Sequence, residues 1–215
     1  MSVDKNKDIG SRWKIFLDGD KKAFTDIYYS FIDVLWSYGK KLTNDHEIIR
    51  DSLQEVFLDL YLKRTKDHVS IKNPKAYLFV ALKNSILKKI LKNKRKIDSK
   101  ELVENHNADF QIEYSFQSQL IEMEISEDTR KHLQNAIQNL SPGQKEIIYL
   151  KFEEGLGYKE IAIIMKITVD SARKQLYRAL VSLRKILDKE DFMMILFIFN
   201  LLERNNTGLK DHEIG

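Results

Sequence analysis

The residues from Asp170 to Arg178 are of the types that recognise nucleic acid. Asp170, Ser171, Arg173, Lys174 and Gln175 stand in near succession, and Arg178 follows one helical turn beyond Lys174. An arginine can fork onto guanine and a glutamine onto adenine, while Lys174 and Arg178 are suited to holding phosphates. Tyr158 to Met165 reads as a short helix, Lys166-Ile167-Thr168 as a turn, and Val169 to Leu187 as a second helix. That is helix-turn-helix spacing, in which the second helix enters the major groove of DNA. Ile161, Ala162, Ile167, Val169, Leu176 and Leu180 would pack the core of such a motif. Asp170 either repels phosphate or caps the helix that starts beside it. A helical bundle with a solvated cationic face explains the charges alone; the glycines at 155 and 157 and the turn favour duplex binding.

A second cationic stretch lies upstream. From Lys72 to Ile97 the chain carries Lys72, Lys75, Lys83, Lys88, Lys89, Lys92, Lys94, Arg95 and Lys96 and no acidic residue. Such a stripe can neutralise phosphates and release their counterions without regard to sequence. Tyr77 and Phe79 could stack on unpaired bases, although their spacing is that of core residues. From Glu101 to Thr129 the sign reverses, with eight acids and neither lysine nor arginine. The chain therefore sets two cationic modules around an anionic connector, and the formal net charge of +4 conceals that layout.

Other chemistry has little support. His46, His68, His106, His132 and His212 are scattered, and neither a metal-spaced pair, a phosphate-cradling glycine loop nor a GxSxG elbow is present. The absence of cysteine removes thiolate catalysis, disulfides and Cys-ligated zinc, and fits a reducing compartment. Neither a catalytic site, a metal site nor a cofactor is expected.

The elements that position these residues are legible as helices. Gly numbers 8 and Pro 2 in 215 residues, a balance that starves hairpin turns and makes an all-α fold the expectation. After a cap at Asp20, Phe24, Ile27, Tyr28, Phe31, Val34, Leu35 and Tyr38 recur at helical spacing. Ile49, Leu53, Val56, Phe57, Leu60 and Tyr61 form a second stripe, leaving Arg50, Asp51, Gln54, Glu55 and Asp59 off that face. Asn73 and Pro74 suit an N-cap and first position, before Tyr77, Leu78, Ala81, Leu82, Ile86 and Ile90. Ser141 to Gln144 can form a capping box, opening a helix through Ile147, Ile148, Leu150 and Phe152. Phe192 to Leu202 is apolar around a full helical circumference and demands burial, against the second module, across both modules, or under a regulator. Packing within the chain, the first two of these, is favoured over a regulator. The run is well below the ~20 residues that span a bilayer, and Met1 to Asp18 has no signal-peptide core, so a cytoplasmic protein without membrane insertion is expected.

Taken in order, these residues resemble an extracytoplasmic-function (ECF) type sigma factor of the sigma-70 family, the small bacterial initiation subunit of RNA polymerase. Asp18-Gly19-Asp20 with Ala23-Phe24, the run Asp51 to Leu58, and Asn73 to Leu78 with the basic stretch after Asn84 look like the family's second region. Leu140-Ser141-Pro142, Gly155 to Ala162, and Val169 through Leu180 resemble its fourth region. The resemblance implies two small helical domains joined by an acidic linker, the second a helix-turn-helix domain. The corresponding segments are 1–17 at the N-terminus, 18–97 as the second region, 98–128 as linker, 129–188 as the fourth region and 189–215 as a C-terminal extension. It implies core-polymerase binding by Asp51, Gln54, Glu55 and Leu58, where exposed acids suit a basic surface. It implies binding of the melted −10 element by Thr65, Lys66, His68, Lys72, Lys75, Lys83, Lys88, Lys92, Lys94 and Arg95. Reading of the duplex −35 element would fall to Thr168, Asp170, Ser171, Arg173, Lys174, Gln175 and Arg178. The implied partners are bacterial core RNA polymerase, promoter DNA and an anti-sigma factor, in this family often membrane-linked; catalysis belongs to the polymerase. The acidic connector is a tether or threads toward the polymerase interior, and the tether is favoured. Two departures bear on specificity: Tyr77 stands where the family often has tryptophan, and Asp170 to Gln175 replaces a Gly-Thr-Val-Lys-Ser-Arg-like run. The reading from a different class is a standalone helix-turn-helix repressor or activator whose first module serves dimerisation or ligand sensing.

Overall fold

The computed structural model describes residues 5–63, 73–97 and 126–207, and every regular element among them is helical. The chain divides into two compact units, Met1–Ala108 and Asp109–Gly215.

The first unit holds α1 (Lys5–Leu17), α2 (Lys21–Leu42), α3 (His46–Lys63) and α4 (Pro74–Ile97). The expected caps are in place. Asp20 Oδ1 accepts the Ala23 N–H at 2.7 Å and opens α2. Asn73 Oδ1 accepts the Ala76 N–H at 3.0 Å, with Pro74 at the first position of α4, where its missing N–H costs nothing. A further cap, not among those expected, opens α3: Asp45 Oδ1 accepts from Glu47 and Ile48 at 3.0 and 3.1 Å. The apolar stripes of α2, α3 and α4 then meet in one core, in which Ile27, Leu35, Tyr38, Ile49, Leu78, Phe79, Leu82 and Ile86 are buried. The rings of Tyr38 and Phe79 lie 4.7 Å apart at its centre. Gly39 lets α2 and α3 close on each other, because a Cβ there would stand 2.7 Å from Ile49 Cγ2.

Helix α1 was not anticipated from the sequence. Its residues are mostly polar, and its helicity depends on docking Trp13 and Phe16, both buried, against α2 and α4. Phe16 sits 5.5 Å from the Phe24 ring and Trp13 6.4 Å from that of Tyr77. The core of the first unit therefore begins before residue 18.

The second unit holds α5 (Glu127–Gln138), α6 (Pro142–Ile148), a π-helical turn (Tyr149–Glu153), α7 (Tyr158–Met165), α8 (Val169–Ile186) and α9 (Lys189–Thr207). The capping box at Ser141 forms as expected: Ser141 Oγ accepts the Gln144 N–H and Gln144 Oε1 accepts the Ser141 N–H. The helix it opens does not stay α-helical through Phe152 but widens at Tyr149. There the Glu154 N–H bonds to the Tyr149 carbonyl and the Tyr149 hydroxyl donates to Glu154 at 2.6 Å. Burial, with the Glu154 carboxylate beside it, pushes the Tyr149 phenol well above its ordinary range.

The C-terminal apolar run lies in α9, capped by Asp188, whose Oδ1 accepts the Asp191 N–H at 2.8 Å. Helix α9 packs chiefly on the π-turn of its own unit, burying Ile195, Ile198, Phe199 and Leu202, with Phe199 stacked on Phe152 at 4.4 Å. Lys151 Nζ donates to Glu203 Oε1 at 2.6 Å beside that stack. The expectation of burial around the full circumference is corrected: Met193 and Phe197 are 59% and 55% exposed, because the unit covers one face of the helix only. Among the described residues no helix is long and apolar enough to cross a membrane.

Candidate nucleic-acid interface

Helices α7 and α8 form the helix-turn-helix. The turn is made at Lys166, whose φ of 55° and ψ of 44° place it in the left-handed region, and the Ile167 N–H bonds back to the Ala162 carbonyl at 3.0 Å. Thr168 then caps α8: its Oγ1 accepts the Ser171 N–H at 3.1 Å and lies 2.8 Å from Ser171 Oγ. The cap is thus Thr168, and the possibility that Asp170 caps this helix is set aside. Asp170 sits in the first turn, where the helix dipole favours an acid, and its carboxylate meets Arg173 Nη1 at 3.4 Å. Ile161, Ala162 and Leu176 are buried in the motif's core; Ile167, Val169 and Leu180 are half-buried.

Opposite the buried stripe Ala172, Leu176, Ala179 and Leu183, α8 exposes Arg173, Lys174, Tyr177 and Arg178. Tyr177, 69% exposed, was absent from the residues singled out by type. Its place one turn after Arg173 and Lys174 was the available signal. Gln175 is less available than its type suggested: it is half-buried against α6, where a Cβ on Gly143 would collide with its amide nitrogen. The Arg173 guanidinium carbon lies 5.6 Å from the centre of the Tyr158 ring, and Lys151 Nζ approaches the same ring at 5.6 Å.

In the first unit, Asp51, Gln54 and Leu58 are exposed on the outer face of α3, extended by Leu62 at 56% exposure, which the sequence reading had passed over. Glu55 behaves differently. Its Oε2 accepts from Lys89 Nζ and Ser85 Oγ, each at 2.8 Å, so the carboxylate ties α3 to α4. Those bonds, Lys89 first, hold its pKa below the ordinary glutamate range.

Of the α4 cations, Lys88 and Lys92 are exposed, whereas Lys83 is half-buried and Lys75 lies 5.9 Å over the Phe79 ring. Lys94 and Arg95 fall in the last turns of the helix, beyond the side chains described. Thr65, Lys66, His68 and Lys72 lie outside the described residues. Tyr77 is half-buried against Trp13 and Phe79 is wholly buried, which removes Phe79 as a stacking surface for bases. Among the described residues no cluster of histidine and acid side chains could hold a metal ion.

Comparison with known proteins matches residues 130–183 to the family described as sigma-70, region 4, a span that contains α6, the π-turn, α7 and most of α8. The chain is 25% identical over 156 residues to the ECF RNA polymerase sigma factor SigM of Bacillus subtilis (strain 168), covering 72% of this chain and 88% of that one. It shares its fold with the sigma factor RpoE solved in complex with the anti-sigma factor NepR from Bartonella quintana. That match has a TM-score of 0.53 at 21% identity, over 77% of this chain and 96% of that one. With a region 4 match on the helix-turn-helix and an ECF sigma factor similar along most of its length, the chain is similar to transcription-initiation factors of the ECF type in the sigma-70 family.

Proposed function

We propose that this chain is a sigma factor that binds bacterial core RNA polymerase through the outer face of α3, reads a duplex −35 element with α8, and holds the melted −10 element along α4. The observation that carries the reading is the face of α8: a helix capped at Thr168 that sets Arg173, Lys174, Tyr177 and Arg178 side by side on a two-helix scaffold. In such a scaffold the N-terminal half of the second helix reaches base edges, and flanking cations hold phosphates. On α4, Lys88 and Lys92 supply the sequence-blind attraction that a separated strand requires. Asp51, Gln54, Leu58 and Leu62 offer the polymerase an acidic and apolar surface, beside which the half-exposed Glu55 ties α3 to α4. Residues 18–97 and 129–188 act as the two promoter-binding modules and 98–128 as their tether. An anti-sigma factor belongs to the same reading, as does a cytoplasmic site of action; the polymerase, not this chain, makes RNA.

The test is transcription by sigma-free bacterial core polymerase on a fragmented genomic template, with and without the full chain, followed by sequencing of transcript 5′ ends. New start sites that share two upstream elements are expected. A dimer that binds a palindromic duplex and yields no new starts would instead establish a standalone helix-turn-helix regulator.

A further inference from the structure

Two cations converge on one ring at the entrance to the helix-turn-helix. Tyr158, the first residue of α7, has Arg173 of α8 and Lys151 of the π-turn each 5.6 Å from its ring centre. Both fall within the ~6 Å over which the negative face of an aromatic ring attracts a cation. They differ in every other respect. Lys151 is bound to Glu203 of α9 at 2.6 Å and its side chain is only 19% exposed, so its charge is neutralised and its place fixed. Arg173 belongs to the outer face of α8, with 61% of its side chain exposed. The Asp170 carboxylate, at 3.4 Å and itself 79% exposed, is a weak holder, because an exposed pair one turn apart is screened by water and salt. The ring is the firmer support: its attraction for the flat guanidinium adds contact area that salt does not remove.

We infer that Tyr158 is a positioning residue for promoter reading, holding the Arg173 guanidinium extended for its base before the duplex arrives. An exposed arginine otherwise loses rotamer freedom when it forks onto a base; stacking it in advance lowers that cost and sharpens the preference for the base it meets. The inference rests on the proposed reading of the −35 element by α8.

The test uses holoenzyme assembled from core polymerase and the full chain, bound to a pool of promoter duplexes randomised in the upstream element, with the bound fraction sequenced. Arg173→Ala identifies the base pair that Arg173 reads. Tyr158→Leu is expected to lose about three- to tenfold of the preference at that base pair, while leaving other positions and the salt dependence as they were. Tyr158→Phe, which keeps the ring, retains the preference, and Tyr158→Leu adds no further loss in the Arg173→Ala background. Thermal melts establish that each variant folds; should Tyr158→Leu fail to fold, Tyr158→Met takes its place under the same criteria. If Arg173→Ala removes a preference that Tyr158→Leu leaves intact, or if Tyr158→Phe loses as much as Tyr158→Leu, the positioning role is overturned while the −35 reading stands. If Arg173→Ala alters no preference, Arg173 does not read the duplex and both fall.

Discussion

The Glu55 carboxylate accepts from Ser85 and Lys89 at once, and each bond favours the charged form. In the unfolded chain the group returns to the ordinary glutamate range, so the folded state gains stability from its ionisation. That gain is fully present above the ordinary range and is lost as pH falls through the depressed folded value. Glu55→Gln removes the charge and keeps a side-chain oxygen for Ser85. The side chain is 46% exposed, so solvent screens the pair and the loss at pH 7 should be modest, about 0.5–1 kcal/mol. Urea unfolding of the wild type and variant should show that gap at pH 7 and its closure as pH falls below the ordinary glutamate range. A gap that stays constant with pH would assign the effect to packing rather than to charge. None of this was visible in the residue string, where Glu55 is one more polar residue off the apolar stripe of α3. Its partners stand 30 and 34 positions away, and only the pairing of α3 with α4 brings them in reach.

Helix α9 shows what one face of an element contributes. Phe199 is buried and stacked on Phe152, whereas Phe197, two residues earlier, is 55% exposed. Phe199→Ala should destabilise the second unit by about 3–5 kcal/mol through lost burial and the cavity left behind. Phe197→Ala should change it by less than about 0.5 kcal/mol. Hydrogen exchange of the α9 and π-turn amides is the suitable measurement, since Trp13 and Trp36 both lie in the first unit and tryptophan fluorescence would not follow the second. Equal losses at the two positions would mean that α9 does not dock by the Phe199 face. The same contrast explains which elements the sequence disclosed. Helices α2, α3 and α4 repeat apolar residues at helical spacing over several turns, and Asp20, Asn73 and Ser141 mark starts by chemistry that acts locally. Helices α1 and α5 carry only short stripes, Ile9, Trp13, Phe16 and Leu17 in one and Leu133, Ala136 and Ile137 in the other, set among polar residues; their helicity follows from docking Trp13 and Phe16, or Leu133, Ala136 and Ile137, on neighbours. The π-turn is likewise a product of tertiary burial around Phe152. At the site, the cations of α8 were legible by type, while the approach of Arg173 to the Tyr158 ring depends on the left-handed turn at Lys166 that brings α8 back against α7.

For the molecule as a whole, the proposed function asks two cationic surfaces to do different work. On α8, cations alternate with groups that can tell one base from another; on α4, the exposed Lys88 and Lys92 are point charges suited to the backbone, with Asn84 and Asn93 the exposed amides beside them. A difference in kind should appear as a difference in response to salt. Each lysine that neutralises a phosphate releases condensed counterions and adds about 0.9 to the slope of log affinity against log salt on duplex DNA, or about 0.7 on a single strand. The double variant Lys88→Gln, Lys92→Gln should therefore flatten the slope by about 1.4 on melted promoter DNA and weaken binding to every promoter alike. Arg173→Ala should instead change the ranking of promoters by their upstream element. Holoenzyme titrations across a salt series, on two promoters that differ only in that element, separate the two effects. An unchanged slope in the lysine variant would remove α4 from the DNA-binding surface. A loss confined to one promoter would show that Lys88 or Lys92 reads sequence, and the division of labour between the two units would have to be redrawn.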